Sequence, residues 1–165
     1  LAEQVMVPVG IGEFRASKDS REVLVAYGLG SCVGVSIYDP EGKIGGLAHV
    51  MLPNSTDALS QSPLGKFADC AVPLLVEEMV KLGARPRRLL GKIAGGAQML
   101  LVARLSNNIL NVGERNILAV KAAMELHGIP ITRSDTGGHR GRTMAVHLAT
   151  GKTTVRIVGE KETEL

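Results

Sequence analysis

Residues 32–52, CVGVSIYDPEGKIGGLAHVML, constrain this chain more than any other stretch. Two runs with alternating apolar residues flank a short polar segment, DPEGK, in which Pro40 is preset for the first central position of a turn. This pattern predicts a β-hairpin, with 32–39 returning as 43–52. Strand periodicity then sorts the side chains. Val33, Val35 and Ile37 share one face and read as core. Cys32, Gly34, Ser36 and Tyr38 share the other, which is small and polar enough to line a cleft. On the returning strand Leu47, His49 and Met51 share a face.

Whether Cys32 and His49 meet depends on the turn, because a slip of one residue flips every side chain. Pairing Asp39 with Gly42 sets Cys32 opposite His49, and pairing it with Ile44 makes the two diagonal neighbours on one face. Either brings thiol and imidazole to roughly 4.5–8 Å apart at their Cβ atoms, the range of a Cys–His pair. A three-residue loop with Gly42 as a bulge separates them, unless a second bulge at Gly45-Gly46 restores the parity.

The rest of the chain reads as one mixed α/β domain over residues 1–165, with more strand than helix and no regular βαβ alternation. Apolar residues from Val5 to Phe14 suggest an opening strand, 22–28 a second, and 53–65 a polar loop after the hairpin. Residues 66–82 carry helical spacing up to a stop at Gly83, with Pro73 removing a backbone bond and kinking the helix. Residues 87–99 run from a strand into a glycine loop. The segment 111–128 is the strongest helix, opened by Asn111 and Glu114 at capping-box spacing and closed by Gly128. Strands follow near 129–134, 142–149 and 152–159.

With four aromatic residues in 165, the core must be aliphatic. A net charge of +3 is mild, and the basic groups at 85–89 and 139–142 have no aromatics between them, which argues against nucleic acid. No apolar run reaches the ~18 residues of a membrane span. The N-terminal residues lack the pattern of a signal peptide. Two cysteines, Cys32 and Cys70, form no disulfide framework or metal-ligand spacing. The expectation is a soluble protein of the reducing cytoplasm.

Several motifs fail on inspection. GLGSCV at 28–33 starts like a dinucleotide fingerprint, but Val33 stands where the third glycine belongs, and a strand follows instead of a helix. DTGG at 135–138 has the Asp-Thr-Gly of aspartic proteases but is preceded by TRS instead of an apolar strand end, so it reads as a turn. Cys70 falls on the apolar side of the 66–82 helix and reads as packing; His127 sits at a helix C-terminus, and His139 and His147 have no nucleophile close in sequence. Cys32 and His49 leave two readings open. In one they are a small buried cysteine and a hydrogen-bonded strand histidine. In the other they are a nucleophile and its base, with Gly28 and Gly30 letting a substrate approach and backbone N–H groups near Ser31 and Cys32 holding an oxyanion.

The segments GLGSCVGVSIYD, GGLAHVMLP, KIAGGAQM, NVGERN and DTGG, in this order and spacing, resemble the chemoreceptor glutamine deamidases of bacterial chemotaxis, the CheD family. The resemblance spans about Val9 to Val158. It implies an α/β sandwich with a largely antiparallel sheet and two main helices, similar to the catalytic domain of glutamine-deamidating toxins. It also implies a Cys–His site at Cys32 and His49 that needs neither metal nor cofactor. The implied reaction is deamidation of glutamine side chains on the cytoplasmic helices of chemoreceptors, and a CheC-type phosphatase is the implied protein partner. The family's third site residue is a threonine six positions before the cysteine, where this chain has Ala26. Either a backbone carbonyl near Ala26, the favoured candidate, or another side chain then orients the imidazole, or the chain is a weaker catalyst. Two alternatives accompany this reading: a mainly docking role toward the phosphatase, and a receptor methylesterase using the same two residues.

Overall fold

The computed structural model describes residues 3–57, 61–99 and 111–165. Their strands form two five-stranded sheets. The first runs β1 (Val5–Pro8), β3 (Glu22–Leu29), β8 (Arg142–His147), β9 (Thr153–Ile157), β10 (Thr163–Glu164). The second runs β2 (Phe14–Ser17), β5 (Ile44–Val50), β4 (Val33–Asp39), β6 (Leu90–Gly95), β7 (Ile131–Thr136). Only β1–β3 and β6–β7 pair in parallel among these neighbours. The fold is thus the expected mixed, largely antiparallel α/β class, with its strands divided between two sheets. The opening strand is likewise two strands. Gly10 and the left-handed Gly12 (φ 78°) turn the chain between them, so that β1 joins one sheet and β2 the other.

Two helices cover the second sheet. Helix α1 (Ala68–Lys81) continues through Pro73 as one element and buries Ala68, Ala71, Val72, Leu75 and Met79. Cys70 lies beside that buried stripe and is only half-buried. Helix α2 (Val112–Leu126) starts where its sequence says it should, with the Asn111 side chain accepting the Glu114 N–H. Both helices pack on Val33, Val35, Ile37, Ala48 and Val50, the hairpin face expected to be core.

The opposite face of the hairpin is not a cleft. It is the seam against the first sheet, where Cys32, Leu47 and Ala94 meet Leu24, Ala26, Leu29, Met144 and Val146. The sheets approach closely: a Cβ on Gly34 would stand 2.7 Å from Met144 Sδ and 3.1 Å from Leu29. Farther along, the Ser36 and Thr153 hydroxyls share a hydrogen bond of 3.2 Å.

The hairpin register resolves the parity question. Asp39 pairs with Ile44 and Gly34 with His49, so Cys32 is a diagonal neighbour of His49 on the seam face. The four-residue connection is held by its own first strand. The buried Asp39 carboxylate accepts the N–H groups of Glu41 and Gly42 and pairs with Arg88 at 2.8 Å. Lys43 closes the turn in the left-handed region (φ 51°). Of the 53–65 loop, residues 58–60 lie outside the described residues.

Candidate active site

His49 is held by hydrogen bonds to both its backbone and its ring. Its backbone N–H donates to the Glu13 carbonyl at 3.0 Å, and its carbonyl accepts from Gly12 at 2.9 Å. The bend between β1 and β2 thus clasps the strand that carries the ring. The same bend supplies a partner for the ring itself, because Nδ1 lies 2.9 Å from the Val9 carbonyl oxygen. A carbonyl can only accept, so Nδ1 carries the proton and the neutral ring keeps its lone pair on Nε2. That atom is buried and makes no hydrogen bond among the described residues. Burial holds the imidazole below its ordinary 6.5, outweighing the Val9 bond and the Glu13 carboxylate, which act the other way. At neutral pH the residue is an uncharged base with one free nitrogen.

Cys32 sits just before β4 with 8% of its surface exposed. Burial pushes its thiol above the ordinary 9.0, and a bond from its own backbone N–H opposes that to a lesser degree. The resting pair is therefore thiol and neutral imidazole, not a preformed ion pair. In a ladder of this register diagonal side chains lie roughly 7 Å apart at Cβ, and the thiol and Nε2 make no hydrogen bond across that gap. The turn before the cysteine is shaped by a bulge in β3. Ala26 pairs with Met144 and Leu29 with Arg142, so Tyr27 and Gly28 together oppose one residue, and Gly28 adopts φ 64°. Three successive carbonyls are then tied down: Gly30 to the Ala97 N–H (2.7 Å), Ser31 to the Asn116 side chain (2.9 Å) and Cys32 to the Gly96 N–H (2.8 Å).

Comparison with known proteins meets this geometry. A family model described as CheD chemotactic sensory transduction matches residues 51–157. A protein of Caldanaerobacter subterraneus named "Probable chemoreceptor glutamine deamidase CheD" is 43% identical over 95% of this chain and 96% of its own. Another of the same name from Methanococcus vannielii is 47% identical over 92% of this chain and 91% of its own. The chain belongs to the CheD family. Among solved structures, a Neisseria meningitidis protein of the DUF152 family has a similar fold, with a TM-score of 0.51 and 8% identity over 82% of this chain and 64% of that one.

In this CheD-family chain the five collinear segments converge on one place. GLGSC supplies the turn and GGLAHV the ring. From KIAGGAQ, the N–H groups of Gly96 and Ala97 hold the turn, and Gly95 (φ 107°) packs its backbone against the Cys32 carbonyl, where no Cβ would fit. NVGERN packs Gly113 against the Gly96 and Ala97 carbonyls and sends Asn116 to Ser31. DTGG makes the turn expected of it, with Gly137 and Gly138 at φ 84° and 70°. The Gly138 carbonyl accepts the Gln98 N–H, and the buried Arg142 braces the turn through Asp135 at 2.7 Å.

The other histidines are not paired with Cys32, although His139 lies at the edge of this assembly. His127 caps α2, His147 pairs with Val23 in the first sheet, and His139 is exposed with Nδ1 3.2 Å from the Gln98 carbonyl. Ala26 is fully buried in the seam, and the ring's acceptor is the carbonyl of Val9, not of Ala26. The two positions are adjacent, since Pro8 pairs with Val25 and the Val9 N–H donates to the Val25 carbonyl. Sequence reasoning missed both Val9 and Asn116. Val9 acts through its backbone, which leaves no signal. Asn116 did leave one: it falls with Val120, Ala123 and Met124 on the buried stripe of α2, a polar residue at apolar spacing.

Proposed function

We propose that this chain hydrolyses glutamine side chains on chemoreceptors to glutamate, with Cys32 as nucleophile and His49 as acid and base. One observation carries the assignment: the Val9 carbonyl fixes Nδ1 as donor and leaves a bare, buried Nε2 on the face that also bears Cys32. The names of the relatives supply the substrate class.

In the first half-reaction the Cys32 proton passes to Nε2, and the thiolate attacks the carboxamide carbon. Negative charge on the former carbonyl oxygen is met by backbone N–H groups of the Gly28–Cys32 turn, with Gly28, Gly30 and Ser31 setting its shape. The imidazolium gives its proton to the departing nitrogen, which leaves as ammonia, and a thioester remains. Water then gives a proton to Nε2 and attacks the thioester. Glutamate departs, and the proton returns to sulfur. Nδ1 keeps its proton and its bond to Val9 throughout, so the ring neither turns nor changes tautomer. The same chemistry cleaves a methyl ester, so the assay includes one.

The test is mass spectrometry of a chemoreceptor cytoplasmic fragment, in glutamine and glutamyl-methyl-ester forms, incubated with the protein. Glutamine-to-glutamate conversion is expected in the wild type and in Cys70→Ala. In Cys32→Ala it falls on the order of 10³-fold or more. Conversion unchanged in Cys32→Ala removes the covalent mechanism. Hydrolysis of the ester alone makes the protein an esterase, and absence of both reactions with tight binding to a CheC-type phosphatase makes it a docking partner.

A further inference from the structure

Asn116 lies in the second turn of α2 and is fully buried. Its amide nitrogen donates twice, to the Ser31 carbonyl and to the Met51 carbonyl, both at 2.9 Å. Ser31 is the residue before Cys32. Met51 follows the last paired residue of β5 and stands two positions after His49. One side chain therefore links the turn that carries the thiol to the strand that carries the ring.

No other side chain of this shape could make both links. Aspartate has no donors, leucine has neither donor nor acceptor, and serine can donate once. The amide is held at a cost, because its Oδ1 is buried and makes no hydrogen bond among the described residues. A buried unpaired acceptor is destabilising, and α2 has apolar neighbours at Val120 and Met124 that an apolar residue would extend. The two donors are the only evident return for keeping an asparagine there. We infer that Asn116 is a positioning residue that fixes the separation of Cys32 and His49. The inference rests on the Cys–His reading of the site.

Ser31 and Met51 belong to segments that end at the nucleophile and just past the base. Releasing them leaves Gly30 and Cys32 bonded to Ala97 and Gly96, and the Met51 N–H bonded to Lys66, so the fold holds while the direct tie between the two segments is lost. The expected signature is a loss of turnover with little loss of substrate affinity. Misplacement of reacting groups by about 1 Å costs on the order of 10²-fold. Asn116→Ala should therefore lower kcat by roughly 30- to 100-fold and change KM by less than about threefold.

The deciding experiment reads the pair without the substrate. In a Cys70→Ala background, so that Cys32 is the only thiol, the rate of iodoacetamide alkylation is followed against pH. Removing the base with His49→Ala is expected to slow alkylation between about pH 7 and pH 9.0, where the resting thiol needs the neutral imidazole to take its proton. Asn116→Ala should slow it over the same range, and adding His49→Ala to Asn116→Ala should slow alkylation by less than about twofold more. A profile unmoved by Asn116→Ala, or independent effects of the two substitutions, overturns the inference. If His49→Ala leaves the parent profile unmoved, the Cys–His reading itself fails, and that result does not depend on Asn116. Should Asn116→Ala not fold, Asn116→Ser keeps one donor and is judged on the same slowing and coupling.

Discussion

The two faces of the β4–β5 hairpin come from the same fourteen strand residues and do different work. One presents Val33, Val35, Ile37, Ala48 and Val50 to the helices. The other presents Gly34, Ser36, Leu47 and His49 to a second sheet, with Cys32 at its end. The helical face is branched and aliphatic and is filled by side chains that can adjust along a helix. The seam face carries Gly34, the Ser36 hydroxyl and the His49 ring beside the apolar Leu47, because two twisted sheets leave little room and a ring must stand between them. Strand alternation places stability and chemistry on opposite sides of one backbone, so a substitution should disturb mainly one of them.

The largest effect separates the faces most cleanly. Ile37→Ala removes fully buried methyl groups from the helical face and should cost about 2–5 kcal/mol of stability. Its kcat per folded molecule should stay within about twofold, because Ile37 points away from Cys32 and His49. Gly34→Ala adds a single methyl on the seam against Met144 and Leu29, both fully buried. Overpacking there should cost about 1–3 kcal/mol, less than Ile37→Ala, yet lower kcat far more, since Gly34 is paired with His49. Denaturant melts beside single-turnover deamidation rates measure both. Equal loss of kcat in the two variants would erase the distinction between the faces.

A smaller effect tests the charge state of the seam. His49 titrates below its ordinary 6.5 in the folded chain because burial disfavours the imidazolium. As pH falls below 6.5, the unfolded chain takes a proton that the folded one refuses, so folding stability declines through that window. Cys32, raised above 9.0 by burial, acts on the other side: above pH 9.0 the unfolded chain loses a proton that the folded one keeps, and stability declines again. His49→Gln removes only the acid-side contribution. Its Tm should therefore drop less than the wild type's between about pH 7.5 and about pH 5.5, with the two curves parallel near neutrality. Parallel curves over the whole range would mean that His49 is not held neutral.

What could be read ahead of the structure follows the same division. The helical face was legible because Val33, Val35 and Ile37 announce a strand face by alternation alone, and α2 because Asn111 and Glu114 form a local cap. Cys32 and His49 were legible as residue types whose alignment hung on the turn. That turn was settled by Asp39, whose partners include Arg88, 49 residues away, and by a non-glycine residue at positive φ, Lys43. The seam read as a cleft because small polar residues look alike whether they face water or a second sheet. The division of the first strand turned on Gly10 and Gly12, and the ring's acceptor is a backbone oxygen 40 residues from the ring. Contacts of that separation leave no periodicity to find.

The smallest expected effect concerns Ala26, where the family resemblance places a threonine. Ala26 lies in the seam beside Cys32, and the strand next to it delivers the Val9 carbonyl to Nδ1. A threonine hydroxyl at this position would compete for a proton that already has an acceptor at 2.9 Å. It would also add two heavy atoms at a site with no exposed surface. Ala26→Thr should thus lose about 1–3 kcal/mol of stability to overpacking, while its kcat changes by less than about threefold. The pH at which deamidation falls on the acid side should stay where it is, because the ring keeps its tautomer and its partner. A gain of tenfold or more in kcat would show that the Val9 carbonyl orients the ring incompletely and that the hydroxyl does something a carbonyl cannot. An unchanged rate would show that the two sheets here fix the imidazole through backbone alone, leaving position 26 free to be small.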